Sequence, residues 1–137
     1  MNTNTNKPSY ITFGNDVINL QNIAYFSVTP SEYETNKFVI VCHLYNNKKI
    51  THGEFPSQMS AHVFLCHVYS KPGFISMGNE YVIRADYVSH FHVMHDKSNK
   101  NLVVIIAHLN NNKTLSWGCF HSKNDALVHL NRAIMNI

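Results

Sequence analysis

With 137 residues, 45% of them hydrophobic and only 14% charged, the chain is long enough for one compact domain with a real core and too apolar to be a disordered one. A formal charge of +3 and a pI near 8.8 lean towards an anionic partner without amounting to a dedicated polyanion binder. Three cysteines, Cys42, Cys66 and Cys119, stand far apart with no C-x-x-C spacing, which excludes a disulfide framework and a cysteine zinc site and leaves them as reduced, packed thiols.

Residues 1–9 are polar, with one proline and no period to bury, and read as a flexible arm. They carry neither the apolar run of a signal peptide nor the arginines of a transit peptide, and no stretch approaches a membrane span, so a cytoplasmic location and no membrane partner are expected. Tyr10–Phe13 and Val17–Leu20 alternate around Gly14-Asn15-Asp16 and predict a short hairpin. Ile23–Val28 and Lys37–Tyr45 are rich in aromatic and β-branched residues and predict two longer strands. Asn46-Asn47 suits a turn that needs positive φ, after which Lys48–Phe55 returns antiparallel with Gly53 at a bulge. Ser57 has the chemistry of an N-cap, and Ala61, Leu65 and Val68/Tyr69 form the stripe of a helix. Ser70-Lys71-Pro72-Gly73 is a linker signal.

The chain then starts again. His43-Leu44-Tyr45-Asn46-Asn47-Lys48 recurs as His108-Leu109-Asn110-Asn111-Asn112-Lys113, and sliding 22–69 onto 87–134 without a gap leaves about a third of the positions identical. Phe74–Met77 and Tyr81–Ile83 repeat the first hairpin at an offset of 64, so the second copy carries one extra residue before Tyr87. Ser122-x-x-Asp125 predicts a capped helix with the stripe Ala126, Leu130, Ala133/Ile134 and Ile137. One helix covers one sheet face, yet Val39, Val41, Val104 and Ile106 would fill the other, so the copies are expected to pack together. The fold class read here is α+β: two tandem repeats of a four- to five-stranded antiparallel sheet followed by one C-terminal helix, packed about a pseudo-twofold axis. Residues 10–137 form a single domain, with repeat 1 at 10–71 and repeat 2 at 72–137.

The short hairpin, the run Ile18–Val28, the strand pair turning at Asn-Asn-Lys and the closing helix resemble small bacterial β-sheet-plus-helix modules of unassigned activity. Two tandem β4-α units are also similar in architecture to the Whirly type of single-stranded-DNA-binding fold. That resemblance implies a nucleic-acid partner held by the sheet.

Candidate site residues follow from three chemistries. Tyr45 beside Lys48 and Lys49, and Trp117 near Lys113, could pair aromatic stacking with phosphate neutralisation, although hairpin lysines also keep a strand tip solvated and a lone tryptophan is commonly core. His90 and His92 share one strand face, with His108 on a neighbouring strand, a set that would suit zinc or copper. Tyr25 and Ser27 stand at the matching positions of repeat 1, so no metal and no cofactor is expected, and the paired His43 and His108 point to a shared structural job such as bonding a loop carbonyl. No G-x-S-x-G, P-loop or G-x-G-x-x-G is present, and the acidic residues sit mainly at turns and caps, so no enzyme is expected. The expected function is a small non-catalytic binding protein that meets another protein or a second copy of itself, with single-stranded nucleic acid as the alternative partner.

Overall fold

The structure, a computed structural model, describes residues 10–69, 73–78 and 80–135, with the backbone alone at 67–69. It is α+β, with ten strands and two helices among the described residues and every strand pairing antiparallel. No helix among these residues is long and apolar enough to cross a membrane. The chain divides into two compact units, Met1–Tyr69 and Ser70–Ile137. The arm at 1–9, Ser70 to Pro72 of the expected linker, and Ile137 lie outside the described residues.

In the first unit β1 (Tyr10–Phe13) pairs with β2 (Asp16–Asn19). A single 3-10 turn, Leu20–Asn22, follows, held at its start by Asn19 Oδ1 accepting from the Gln21 N–H at 3.0 Å. β3 (Ile23–Pro30), β4 (Phe38–Leu44) and β5 (Lys49–Phe55) then form a meander with β4 in the middle, and α1 (Gln58–Tyr69) closes the unit. The second unit repeats the order: β6 (Phe74–Met77), β7 (Tyr81–Arg84), a 3-10 turn at Ala85–Tyr87, the meander β8 (Val88–His95), β9 (Val103–Leu109) and β10 (Thr114–Phe120), then α2 (Lys123–Met135). Each unit thus has five strands, but within the unit they pair as two plus three and not as the single four- to five-stranded sheet expected.

The recurring Asn-Asn-Lys is the turn of each meander. Asn47 and Asn112 both take φ near +70°, a region that asparagine tolerates because its short amide can bond locally. In both turns the first Asn side chain accepts from the Lys N–H at 3.0 Å. The Leu N–H also reaches the Lys carbonyl, at 2.9 Å in the first unit and 2.8 Å in the second.

Gly53 and Gly118 sit where the register slips by one residue, and their φ of +76° and +81° would strain any other residue. A Cβ on Gly53 would lie 2.8 Å from the Phe55 ring, and one on Gly118 would overlap the Phe120 ring. The bulge expected at Gly53 is present and has a twin.

Both helices start as their serines require. Ser57 Oγ accepts from the Ser60 N–H at 3.0 Å while Ser60 Oγ accepts from the Ser57 N–H at 3.2 Å, and Ser122 Oγ accepts from the Asp125 N–H at 3.0 Å. Ala61 and Leu65 are fully buried against the β3–β5 sheet with Phe26, Ile40 and Cys42. In the second unit Ala126 and Leu130 pack with Val103, Ile105 and Phe120. Of the alternatives Ala133/Ile134 that the spacing offers, Ala133 is half-buried and Ile134 is exposed. Burying two such helix residues and the strand side chains beneath them stabilises each unit by roughly 2 kcal/mol per large side chain, before ordering costs.

One expectation of register needs correction. The hairpin of the second unit pairs Phe74 with Arg84 and Met77 with Tyr81, whereas the first pairs Tyr10 with Asn19 and Phe13 with Asp16. β1 and β6 therefore differ by 64 but β2 and β7 by 65. The extra residue sits in the turn after Gly78, and Ile83 answers to Ile18 rather than to Asn19, as the burial of both isoleucines requires.

Candidate functional site

Alternation gives each meander two faces. On one, Phe26, Val28, Ile40 and Cys42 meet α1; on the other, Tyr25, Ser27 and Thr29 of β3 stand beside His43, Val41 and Val39 of β4 and then Lys49 and Thr51 of β5. This helix-free face holds a cavity of about 570 Å³, bounded by the sheet and by the loop from Pro30 to Tyr33. The same face of the second unit holds a cavity of about 340 Å³, lined by Met94, Val104, Ile106, Ser116 and the loop residues Asp96 and Lys97. Both loops are tied by one short polar side chain. Ser31 Oγ accepts from the N–H groups of Tyr33 and Glu34, and Asp96 Oδ1 accepts from Ser98.

His43 and His108 are placed alike, in ring stacks and not in the expected role of bonding a loop carbonyl. Each stacks flat on the residue opposite it: Tyr25 on His43 at 4.1 Å between centroids, and His90 on His108 at 4.2 Å. His43 Nε2 also lies 2.9 Å from the hydroxyl of Ser27, which is buried. In the second unit Ser89 Oγ bridges, 3.0 Å from His90 Nδ1 and donating to the His108 carbonyl at 3.0 Å. The candidate metal set is thus only partly assembled: His90 faces His108, but His92 faces Ile106. Among the described residues no group of three or more His, Cys, Asp or Glu is placed to hold a metal ion.

Tyr45, Lys48 and Lys49 are brought together at the tip of the β4–β5 hairpin, all exposed. Lys113 occupies the matching turn of the second unit. Trp117 lies on the other side of β10, half-buried against the core beside α2, with its ring edge-on to Phe120 at 5.8 Å and close behind Gly78. Strands β8, β9 and β10 contain no Lys or Arg.

The thiols differ. Burial pushes the Cys42 thiol up to about 12, leaving it inert, and Cys66 Sγ lies 3.3 Å from His62 Nε2 one turn earlier on α1. Cys119, expected to be packed, is exposed, next to the β10 bulge at Gly118.

One feature escapes the search for chemical motifs. Met59, His62, Val63 and Cys66 fall at i, i+3, i+4 and i+7 on the flank of α1 away from Ala61 and Leu65, with Met59 55% and Val63 57% exposed. Partial burial lowers the pKa of His62 in the middle of this stripe. The signal available in the sequence was the absence of any Asp, Glu, Lys or Arg from Gln58 to Tyr69. A scan against protein-family models and searches of the curated proteins and of the solved structures found no match to this chain.

Proposed function

We propose that the chain is a small non-catalytic protein-interaction module that assembles with a second copy of itself through α1. The observation that supports this is the uncharged outer stripe of the helix. A solvated helix face ordinarily carries charge, and a contiguous apolar one marks a surface that another molecule covers. In a twofold contact the same stripe supplies both surfaces, so a stripe without charges meets no like-charge repulsion. α2 has Lys123, Asp125 and Arg132 and lacks this property. The absence of catalysis is part of the same reading: Ser27, the hydroxyl within reach of an imidazole, is buried in the middle strand pairing and reads as a structural bond. The two units are further taken to depend on each other, so that fragments 1–71 and 72–137 made alone should aggregate or fold poorly.

Sedimentation at increasing concentration tests the assembly. The chain should move from monomer to dimer, and Met59→Glu with Val63→Glu should leave a monomer with an unchanged cooperative melt. A monomer at every concentration, or a dimer indifferent to the double substitution, overturns the reading.

Tyr45, 41% exposed at a tip shared with Lys48 and Lys49, supports single-stranded nucleic acid as a second reading. Its affinity should fall with salt at a log-log slope of roughly -0.7 per phosphate contact, and Lys48→Glu with Lys113→Glu should abolish most of it. The lack of cations on β8–β10 places this reading second. No binding of a mixed oligonucleotide at about 50 mM salt removes it.

A further inference from the structure

We infer that the helix-free face of β3–β5 is a binding site for a small organic monoanion with an apolar body, of the aryl-carboxylate class. Its volume, about 570 Å³, is in the range of small-molecule sites, which combine an apolar floor with a few convergent polar groups. Val39 and Val41 supply the floor. The hydroxyls of Thr29 and Thr51 and the imidazole of His43 border it, and Tyr33, 91% exposed on the loop above, offers a ring that could cover an aromatic body.

Charge decides the ligand. Lys49 stands opposite His43 in the register, so the cation and the imidazole flank one end of the cavity. Glu32 lines the same cavity from the loop after Pro30, and Pro30 pairs with Phe38, five strand residues and so roughly 17 Å from His43 along β4. A carboxylate would settle at Lys49, where a charge-assisted hydrogen bond is available, and the apolar body would lie over the valines. A second anionic group reaching towards the loop would meet Glu32, so a dianion of the same length is disfavoured. The matching cavity of the second unit serves as an internal comparison: it is smaller, Thr114 stands in the place of Lys49, and the lysine that lines it, Lys97, is on the loop beside Asp96. The site is on the face opposite α1 and does not depend on the assembly proposed above.

The test is an NMR titration of the full chain with phenylpropionate, its amide and phenylpropylamine as probes. Phenylpropionate should give saturable shifts at Thr29, Val39, Val41 and Thr51 and none at Val104, Ile106 or Ser116, with the amide and the amine at least roughly tenfold weaker. Lys49→Met, at an exposed position that the fold does not use, should weaken phenylpropionate by a similar factor. Absence of saturable shifts up to ~10 mM, equal binding of the amide or the amine, or indifference to Lys49→Met overturns the inference.

Discussion

The two units share an order of elements and differ in how they spend their aromatic and charged residues. At the contact between the last strand and the helix, the first unit places His52 on β5 and Phe64 on α1, with ring centroids 5.9 Å apart. The second unit places Trp117 on β10 and His129 on α2, and the imidazole leans on Phe120 at 5.0 Å. The large ring has changed sides, from helix to strand, and the imidazole has moved the other way. Each layer keeps one imidazole and one large ring although neither position is conserved, which is how a packed layer tolerates substitution. The helices diverge on their outer flanks instead. Met59 and Cys66 of α1 answer to Asn124 and Asn131 of α2, and charge is found on α2 alone. The inward contact is thus similar in the two units, whereas the outward face is polar on one helix and uncharged on the other.

Four substitutions sharpen that contrast, taken from the largest effect. Leu65, fully buried, should cost about 4 kcal/mol as Leu65→Ala, and Leu130→Ala, at a site slightly open to solvent, about 2–3 kcal/mol by urea denaturation. Equal losses would mean that the two cores are equally tight. Next, Trp117→His should cost roughly 2–3 kcal/mol by opening a cavity beside Phe120, and adding His129→Phe should recover about 1 kcal/mol, since it rebuilds the pairing of the first unit. A purely additive double mutant would break the account of a swapped contact.

At neutral pH the smallest effects are those of the titratable groups. Cys42 has a folded-state pKa raised by burial from 9.0 to about 12, so the unfolded chain loses that proton first. Its contribution to stability is whole below pH 9 and is lost as pH rises towards 12, and Cys42→Ala should flatten the alkaline limb of the melting profile. His62 is lowered from 6.5 by burial, so below that pH the unfolded chain binds the proton first and stability falls on acidification. His62→Gln should remove that part of the acid slope while Leu127, its counterpart in the second unit, contributes none.

Much of this architecture can be read before any coordinates. The Asn-Asn-Lys turns were legible because positive φ admits few residues, and the helix starts because Ser57 and Ser122 have side chains that bond the third N–H on. Ala61, Leu65, Ala126 and Leu130 were legible from period alone. The shift of register at Gly78 was not, since two hairpins of four residues alternate equally well at an offset of 64 or 65. Trp117 could be given either a core or a surface role, because composition does not say which side of β10 meets α2. The stacks of His43 and His108 could be anticipated as a pair, but their partners, Tyr25 and His90, depend on a cross-strand register that no local signal specifies. The cavity under Tyr33 is a property of a loop's path and leaves no trace in periodicity.

The glycine bulges set the phase of everything after them. Lys49 and Thr51 face away from α1, and unbroken alternation would send Phe55 the same way; the extra residue at Gly53 reverses the count, so Phe55 pairs with Phe38 and stacks near Phe64 on the helix side at 5.2 Å. The helix begins three residues later, and its azimuth is inherited from that reversal. A single-residue insertion or deletion anywhere between the start of β5 and the helix would therefore turn inside to outside, whereas a substitution leaves the count intact. The two sequence repeats differ at about two thirds of their aligned positions without one gap between 22 and 69, and the single change of length between them lies between β6 and β7, where no phase is carried forward.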